Sequence, residues 1–205
     1  MNIWGRLSSI NVRKVVWAAQ EAGAEFTRTD AGAAFGIVRT PNYLRMNPNA
    51  LVPVLQDGDV TLWESNVIVR YLAARFPASG LLPVSLAQHF EAEQWMDWQQ
   101  TTSNPAGRTA FIQYFRTPAD QRQPDLIRHS VTAMEPLMAL LDAHLATRRF
   151  MLGEQFSMAD IPLGCEVHRW FGLPQAHPHW PHLERWFAKL CSRPASRGAL
   201  DVALS

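Results

Sequence analysis

The sequence predicts two domains, a small α/β domain followed by a larger all-helical domain. Strand-like and helix-like patterns alternate through the first part of the chain, and helical patterns alone fill the second part. A segment rich in proline, glycine and serine lies between them at positions 77–85 and is typical of a linker. We therefore assign the first domain to residues 1–79 and the second to residues 86–205.

The first domain is predicted to run strand, helix, strand, helix, strand, strand, helix. The apolar NIWG at positions 2–5 gives the first strand, and the alternating EFTRTD at 25–30 gives the second. The helix between them ends at Gly23, and a short helix is expected near 41–45. The apolar face of the first helix, spaced i, i+3, i+4, i+7, consists of Val12, Val15, Val16 and Ala19.

A hairpin and a third helix complete this domain. The segment LVPVLQDGDVTLWES contains two short apolar runs around Asp57-Gly58, which is a strong signal for a tight turn between antiparallel strands. Ser65 then begins a helix with an apolar face that contains Ile68, Tyr71 and Leu72.

Apolar residues at helical spacing define the second domain. A first long segment continues past SNPAG at positions 103–107, and two further stripes follow. The residues of the three segments are Phe90, Trp95 and Trp98; Met134, Leu137, Met138, Leu141 and Leu145; and Leu183, Trp186, Phe187 and Leu190. FSMAD at 156–160 is a capping-box pattern, in which Ser157 and Asp160 close the start of another helix.

Composition and charge exclude several classes of protein. The 205 residues are 47% hydrophobic and 18% charged with a net charge of +1, and no basic stripe favours nucleic acid or an anionic membrane. The N-terminus lacks the pattern of a signal peptide, and no apolar run approaches the ~20 residues that span a bilayer. Cys165 and Cys191 are the only cysteines, and we expect them to be buried free thiols in a reducing cytoplasm.

Two stretches of the first domain offer polar groups to a ligand. In WESN at 63–66, the Ser65 hydroxyl and the N–H groups of the first helical turn form an anion pocket, and Glu64 offers an acceptor to a cation. A ligand with a carboxylate and an ammonium on one carbon fits both groups. The alternative is that Ser65 is simply the N-cap of its helix. In the other stretch, a cis Pro53 would leave the N–H and C=O of Val52 to pair with an extended peptide.

Two other chemistries are not supported. His177, His179 and His182 lie in HPHWPH, but prolines interrupt them and no carboxylate or cysteine completes a ligand set, so we expect no metal site. No G-x-S-x-G elbow surrounds any of the candidate serines, which argues against a serine hydrolase.

Four segments together carry a family resemblance, namely GRLSSINVRKVVWAAQEAG, NPNALVPVLQDGDVTLWESNVIVRYLAARFP, FSMADIPLG and WFAKLCSRPA. They resemble cytosolic glutathione S-transferases, and among these the bacterial, serine-type, theta- or zeta-like members. The resemblance implies a thioredoxin-like N-terminal domain, an all-helical C-terminal domain, a homodimer and a role in detoxification. It also implies that Pro53 is cis, that Val52 pairs its backbone with the cysteinyl unit of glutathione, and that Glu64 and Ser65 hold the γ-glutamyl end.

The same resemblance gives the serine pair at positions 8 and 9 a role. Serine-type members stabilise the glutathione thiolate with a serine four residues before an arginine, which is Ser9 before Arg13 here, whereas one branch uses the first serine of a pair, which is Ser8. Asn11 stands where some bacterial members place an amide near the sulfur. The structural alternative is that both serines only satisfy unpaired N–H groups at the start of the helix.

Two positions depart from the family pattern. Leu51 stands where lysine or glutamine commonly contacts the glycyl end of glutathione, so Arg39 is the candidate for that contact. Ile10 stands where the maleylacetoacetate-isomerase branch usually has a cysteine, which argues against that isomerisation.

The sequence therefore predicts a serine-type glutathione transferase that conjugates glutathione to a small hydrophobic electrophile. Family architecture places the acceptor pocket between the domains, with Arg108, Phe111, Phe115 and Trp170 among its lining residues. The alternatives are a glutathione-dependent isomerase or dehalogenase, and a non-catalytic relative such as a ligand-binding or polymerase-associated protein.

Overall fold

A four-stranded mixed sheet forms the centre of the first of two compact units, in a computed structural model that describes residues 1–205. Strand β1 (Asn2–Trp4) pairs in parallel with β2 (Thr27–Thr29) and antiparallel with β3 (Val54–Asp57), which pairs antiparallel with β4 (Val60–Trp63). Asp57 faces Val60 across a two-residue turn with Gly58 at φ +56°, so the predicted hairpin is confirmed.

Three helices accompany this sheet, α1 (Ile10–Glu21), α2 (Pro41–Met46) and α3 (Ser65–Arg75). The predicted order of strands and helices is confirmed. Helix α1 packs against α3, and the apolar face predicted for α1 is buried. The side chains that fill this core include Ile3, Val12, Val15, Ile68 and Leu72.

The second unit is all-helical, as predicted. Its helices are α4 (Leu86–Trp98), α5 (Asn104–Phe115), α6 (Pro124–Leu145), α7 (Asp160–Phe171) and α8 (Pro181–Cys191). A π-helical turn at Gln99–Ser103 joins α4 to α5, so the first helical segment does continue past SNPAG. The buried side chains of α6 lie on the predicted stripe, at Met134, Met138, Leu141 and Leu145.

Asp160 closes the start of α7. Its Oδ1 accepts hydrogen bonds from the Met151 N–H and the Trp186 Nε1–H, both at 2.9 Å, and its Oδ2 accepts from the Ser157 N–H at 2.9 Å and the Ser157 hydroxyl at 3.3 Å. The Ser157 hydroxyl in turn accepts from the Ala159 N–H at 3.3 Å. Burial of the carboxyl raises the pKa of Asp160 to about 6. The predicted contact between Ser157 and Asp160 is present, but the N-cap residue of α7 is Ala159 and no side chain caps it.

The end of the chain returns to the first unit. Residues Pro194–Val202 pack with Met1–Leu82, which differs from the predicted division in which 86–205 form one domain. The reason is the contact that this segment makes with α1. The segment buries the side chains of Ala199 and Leu200, and its carbonyls accept hydrogen bonds from side chains of α1.

The two cysteines form no disulfide. Cys165 is buried in α7, but Cys191 is exposed because it is the last residue of α8, so the expectation of two buried thiols was wrong for Cys191. None of the helices combines the length and the apolar character needed to cross a membrane.

Candidate functional site

The backbone of Val52 lies at the start of β3 but outside its ladder. The Val52–Pro53 peptide bond is cis, and the strand pairing begins at Val54, which faces Trp4 and Trp63. The N–H and C=O of Val52 make none of the hydrogen bonds between backbone groups. An extended peptide could therefore pair with these two groups without displacing a bond of the sheet.

The carbonyl of Leu51 holds this segment in place. It accepts a hydrogen bond from the Tyr43 hydroxyl at 2.8 Å and another from the Asn47 side-chain amide at 2.9 Å. Both donor residues are buried. Burial also raises the pKa of Tyr43 to about 12, so its hydroxyl remains protonated and remains a donor at neutral pH. No motif or periodic pattern in the sequence indicates this role for Tyr43 or Asn47.

Glu64 and Ser65 lie at the junction between β4 and α3. Glu64, not Ser65, is the N-cap residue, and it takes the left-handed conformation with φ +69°. Its side chain is exposed. Ser65 is only 3% exposed, and its hydroxyl donates a hydrogen bond to Oδ1 of Asn11 at 3.2 Å. The alternative that Ser65 is simply the N-cap is therefore wrong.

The serine pair precedes α1. Ser9 is the N-cap residue, and its carbonyl accepts from the N–H groups of Val12 and Arg13, both at 3.0 Å. The Ser9 side chain makes no capping hydrogen bond. The structural alternative, in which this hydroxyl satisfies the start of the helix, is not what the structure shows for Ser9.

Asn11 connects the serine pair before α1 to Ser65 at the start of α3. It lies in the first turn of α1, two residues after Ser9, and contacts Ser65 at the first turn of α3. Because its Oδ1 accepts from Ser65, its Nδ2 group is left to donate in another direction. Arg39 is exposed in the loop before α2 and takes part in none of these hydrogen bonds.

The residues expected to line an acceptor pocket differ in accessibility. Phe111 and Phe115 on α5 stack with ring centroids 5.5 Å apart, and both are half-buried. Arg108, one turn earlier than Phe111, is exposed. Trp170 is only 1% exposed within the helical unit, so it is a core residue and offers no surface to a ligand in this structure. Family architecture alone does not separate a core tryptophan from one that lines a pocket.

A metal site finds no support in this geometry. No three side chains of His, Cys, Asp or Glu converge. His179 instead contacts Glu184, and the His177 ring packs against Trp170 with centroids 5.6 Å apart.

Comparison with known proteins places these features in a family. Residues 1–74 match the model for the glutathione S-transferase N-terminal domain, and residues 124–189 match the model for the C-terminal domain. Glutathione S-transferase GstB of Escherichia coli K12 is 38% identical, with both chains covered in full. Elongation factor 1-gamma 3 of rice is 29% identical over 90% of this chain and 44% of its own length.

Solved structures agree with these matches. The theta class glutathione S-transferase of Xanthomonas axonopodis pv. citri, with glutathione bound, is 44% identical and gives a TM-score of 0.96. That match covers 100% of this chain and 98% of the other. The apo form of the same protein gives a TM-score of 0.87.

Proposed function

The chain belongs to the glutathione S-transferase family, and we propose that it conjugates glutathione to a small hydrophobic electrophile, with the thiolate held by the Ser9 hydroxyl. The observation that carries this proposal is the hydrogen bond between Ser65 and Asn11. It joins a residue expected at the γ-glutamyl end to a residue expected near the sulfur, although 54 positions separate them in the chain.

Glutathione binding accounts for the polar groups of the first unit. The cysteinyl unit would pair with the N–H and C=O of Val52, which lie outside the β ladder. The ammonium of the γ-glutamyl end would meet the exposed Glu64 carboxylate, and its carboxylate would meet Ser65 and the first N–H groups of α3. Arg39 remains our candidate for the glycyl carboxylate, since Leu51 carries no charge.

The Ser9 hydroxyl would stabilise the thiolate as a hydrogen-bond donor. An alkyl thiol titrates near ~8.5, and lowering that pKa by ~2 units requires ~2.7 kcal/mol of preferential stabilisation of the anion. One charge-assisted hydrogen bond contributes ~1.5–3 kcal/mol, and a helix N-terminus adds ~0.3–1 kcal/mol. The Ser9 hydroxyl suits this role because it makes no capping hydrogen bond to α1. Asn11 Nδ2 is a second donor, and Ser8 is the alternative serine.

The electrophile would contact aromatic side chains of the helical unit. Phe111 and Phe115 form a half-buried stacked pair, and Arg108 places a positive charge one turn away on the same helix. The guanidinium groups of Arg116 and Arg169 also lie 5.5 and 5.7 Å from the centroid of the Phe111 ring. This combination suits a small apolar electrophile with an electron-withdrawing group. Trp170 is buried in the core and does not contribute to this contact.

Assembly as a homodimer would cover exposed apolar side chains. Members of this family are typically two-fold dimers, in which the α/β domain of one subunit meets the helices of the other. Large apolar side chains stand exposed on both units of this chain, at Phe35, Leu51 and Trp63 and at Leu86 and Phe90.

A non-catalytic binding protein is the second candidate. The similarity to elongation factor 1-gamma 3 supports it, because a related sequence there forms part of a longer protein that is named as an elongation factor. Calorimetric titration with glutathione tests the proposal. We expect saturable binding together with turnover of a chloronitroarene, whereas no detectable heat at millimolar glutathione would favour the non-catalytic candidate.

A further inference from the structure

Arg13 ties together two parts of the chain that are remote in sequence. It lies on α1 and is only 3% exposed. Its Nε donates a hydrogen bond to the Leu7 carbonyl at 2.7 Å. Its Nη1 donates to the carbonyls of Val202 at 3.0 Å and Ala199 at 3.5 Å. One guanidinium therefore bridges the turn before α1 and the last residues of the first unit.

The position of the Leu7 carbonyl affects the geometry of the serine pair in the candidate site. It belongs to the peptide bond that leads into Ser8, so a hydrogen bond to it fixes the plane of the backbone entering the serine pair. The turn is also closed by the Ser9 N–H, which donates to the Arg6 carbonyl at 3.1 Å. The direction in which the serine hydroxyls point thus depends on where Arg13 holds Leu7.

The C-terminal segment gives Arg13 a fixed anchor. Ala199 and Leu200 are buried, and the Gln20 side chain of α1 donates a second bond to the segment, at the Arg197 carbonyl, at 2.9 Å. A guanidinium is planar and rigid, so fixing Nη1 on one side determines the position of Nε on the other.

We propose that Arg13 is a positioning residue for the glutathione thiolate, which holds the Ser8–Ser9 turn in place against the C-terminal segment Pro194–Val202. This inference rests on the proposed function. It adds that residues at the far end of the chain help determine how well a serine hydroxyl reaches the sulfur. A displacement of about 1 Å is enough to weaken such a catalytic contact substantially.

The test compares full-length variants by ultraviolet titration of the bound glutathione thiolate. Arg13→Met removes the guanidinium and keeps an unbranched apolar stem. Arg13→Lys keeps the stem and the positive charge but replaces the rigid fork with a single ammonium. Gln20→Ala is the matched control, because it removes a bond from α1 to the same C-terminal segment without touching the serine turn.

We expect both Arg13 variants to raise the pKa of the bound thiol by about one unit toward ~8.5 and to lower kcat at pH 7 roughly threefold. The KM for glutathione should change little, since Val52, Glu64 and Ser65 are untouched. Gln20→Ala should retain the wild-type thiol pKa. A role confined to folding would lower the unfolding temperature and move neither the thiol pKa nor kcat.

Two results would overturn the proposal. One is a wild-type thiol pKa in Arg13→Met, and the other is a wild-type thiol pKa in Arg13→Lys, because the charge rather than the fork would then suffice. If Arg13→Met does not fold, Arg13→Lys decides alone in the same way. Failure of the proposed function is distinct, since it shows in the wild-type protein as absent glutathione binding or an unshifted bound thiol.

Discussion

The hydroxyl of Ser65 donates a hydrogen bond to the side-chain oxygen of Asn11 across 3.2 Å. This bond joins the first turn of α3 to the first turn of α1. It leaves the amide nitrogen of Asn11 to face another partner, and it places both groups in one polar cluster. The γ-glutamyl end and the sulfur of glutathione are therefore expected to be energetically coupled.

Removing either partner of this bond should weaken the glutathione site. We expect Ser65→Ala to reduce glutathione affinity by more than ~1 kcal/mol, because it removes the hydroxyl that holds Asn11 in place beside the γ-glutamyl end. Asn11→Ala should raise the pKa of the bound thiol.

The effects of the two substitutions on the free energy of glutathione binding, measured by calorimetry, should be non-additive by about 0.5 kcal/mol or more. Ser85→Ala, at the N-cap of α4, is the control and should leave affinity unchanged. Strict additivity would show that the two residues act independently.

The charge of Glu64 should matter more than its shape. Glu64→Gln keeps the size of the side chain and removes the counter-charge for the ligand ammonium. We expect a loss of more than ~1 kcal/mol in glutathione affinity with kcat little changed, because the carboxylate is remote from the reacting sulfur. Glu154→Gln, another exposed glutamate, serves as the control. Equal affinity in Glu64→Gln and the wild type would remove Glu64 from the binding site.

Asp160 should make stability depend on pH. Burial raises the pKa of Asp160 from 3.8 to about 6, so the native state binds more protons than the unfolded state between these values. The contribution of this carboxyl is full below pH ~4 and is lost as pH rises through ~6, which lowers the free energy of unfolding by about 3 kcal/mol. Chemical denaturation across this window should show the slope in the wild type and its absence in Asp160→Asn.

The same substitution should also lower stability at neutral pH. One side-chain oxygen of Asp160 is replaced by a donor, which leaves buried N–H groups of Met151 and Trp186 or of Ser157 without an acceptor. We expect a loss of about 2–4 kcal/mol. A variant that is as stable as the wild type at pH 7 would contradict the stabilising role of these hydrogen bonds.

The exposed apolar side chains predict a dimer. Sedimentation at micromolar concentration should give twice the chain mass of 23.1 kDa. Phe90 on α4 is 59% exposed, and Phe90→Glu should shift the equilibrium toward the monomer because it would bury a charge. A monomeric mass for the wild-type protein would be the contrary result.

Local patterns predicted the elements that local forces form. The apolar face of α1 follows from helical spacing, the hairpin follows from Asp57-Gly58, and the contact between Ser157 and Asp160 before α7 follows from their spacing. Each of these features is decided within a few residues of the chain. The V-P motif is equally short, and the family resemblance that it carries placed Val52 and Pro53 at the start of a strand.

Long-range contacts were not predictable in this way. The bond from Arg13 to Val202 spans 189 positions, and no periodic pattern indicates that the chain end returns to α1. Tyr43 and Asn47 converge on one carbonyl only because α2 packs beside the Val52 loop. Family architecture suggested Trp170 as a pocket residue, and only the packed structure shows that it is a core residue.

The most direct test of the serine-type mechanism is the pKa of bound glutathione in Ser9→Ala and Ser8→Ala, measured by ultraviolet titration of the thiolate. We predict that Ser9→Ala raises this pKa toward ~8.5 and reduces turnover at neutral pH with little change in affinity, while Ser8→Ala stays near the wild-type value. An unshifted pKa in Ser9→Ala, together with a raised pKa in Ser8→Ala, would contradict the assignment and move the thiolate contact to Ser8.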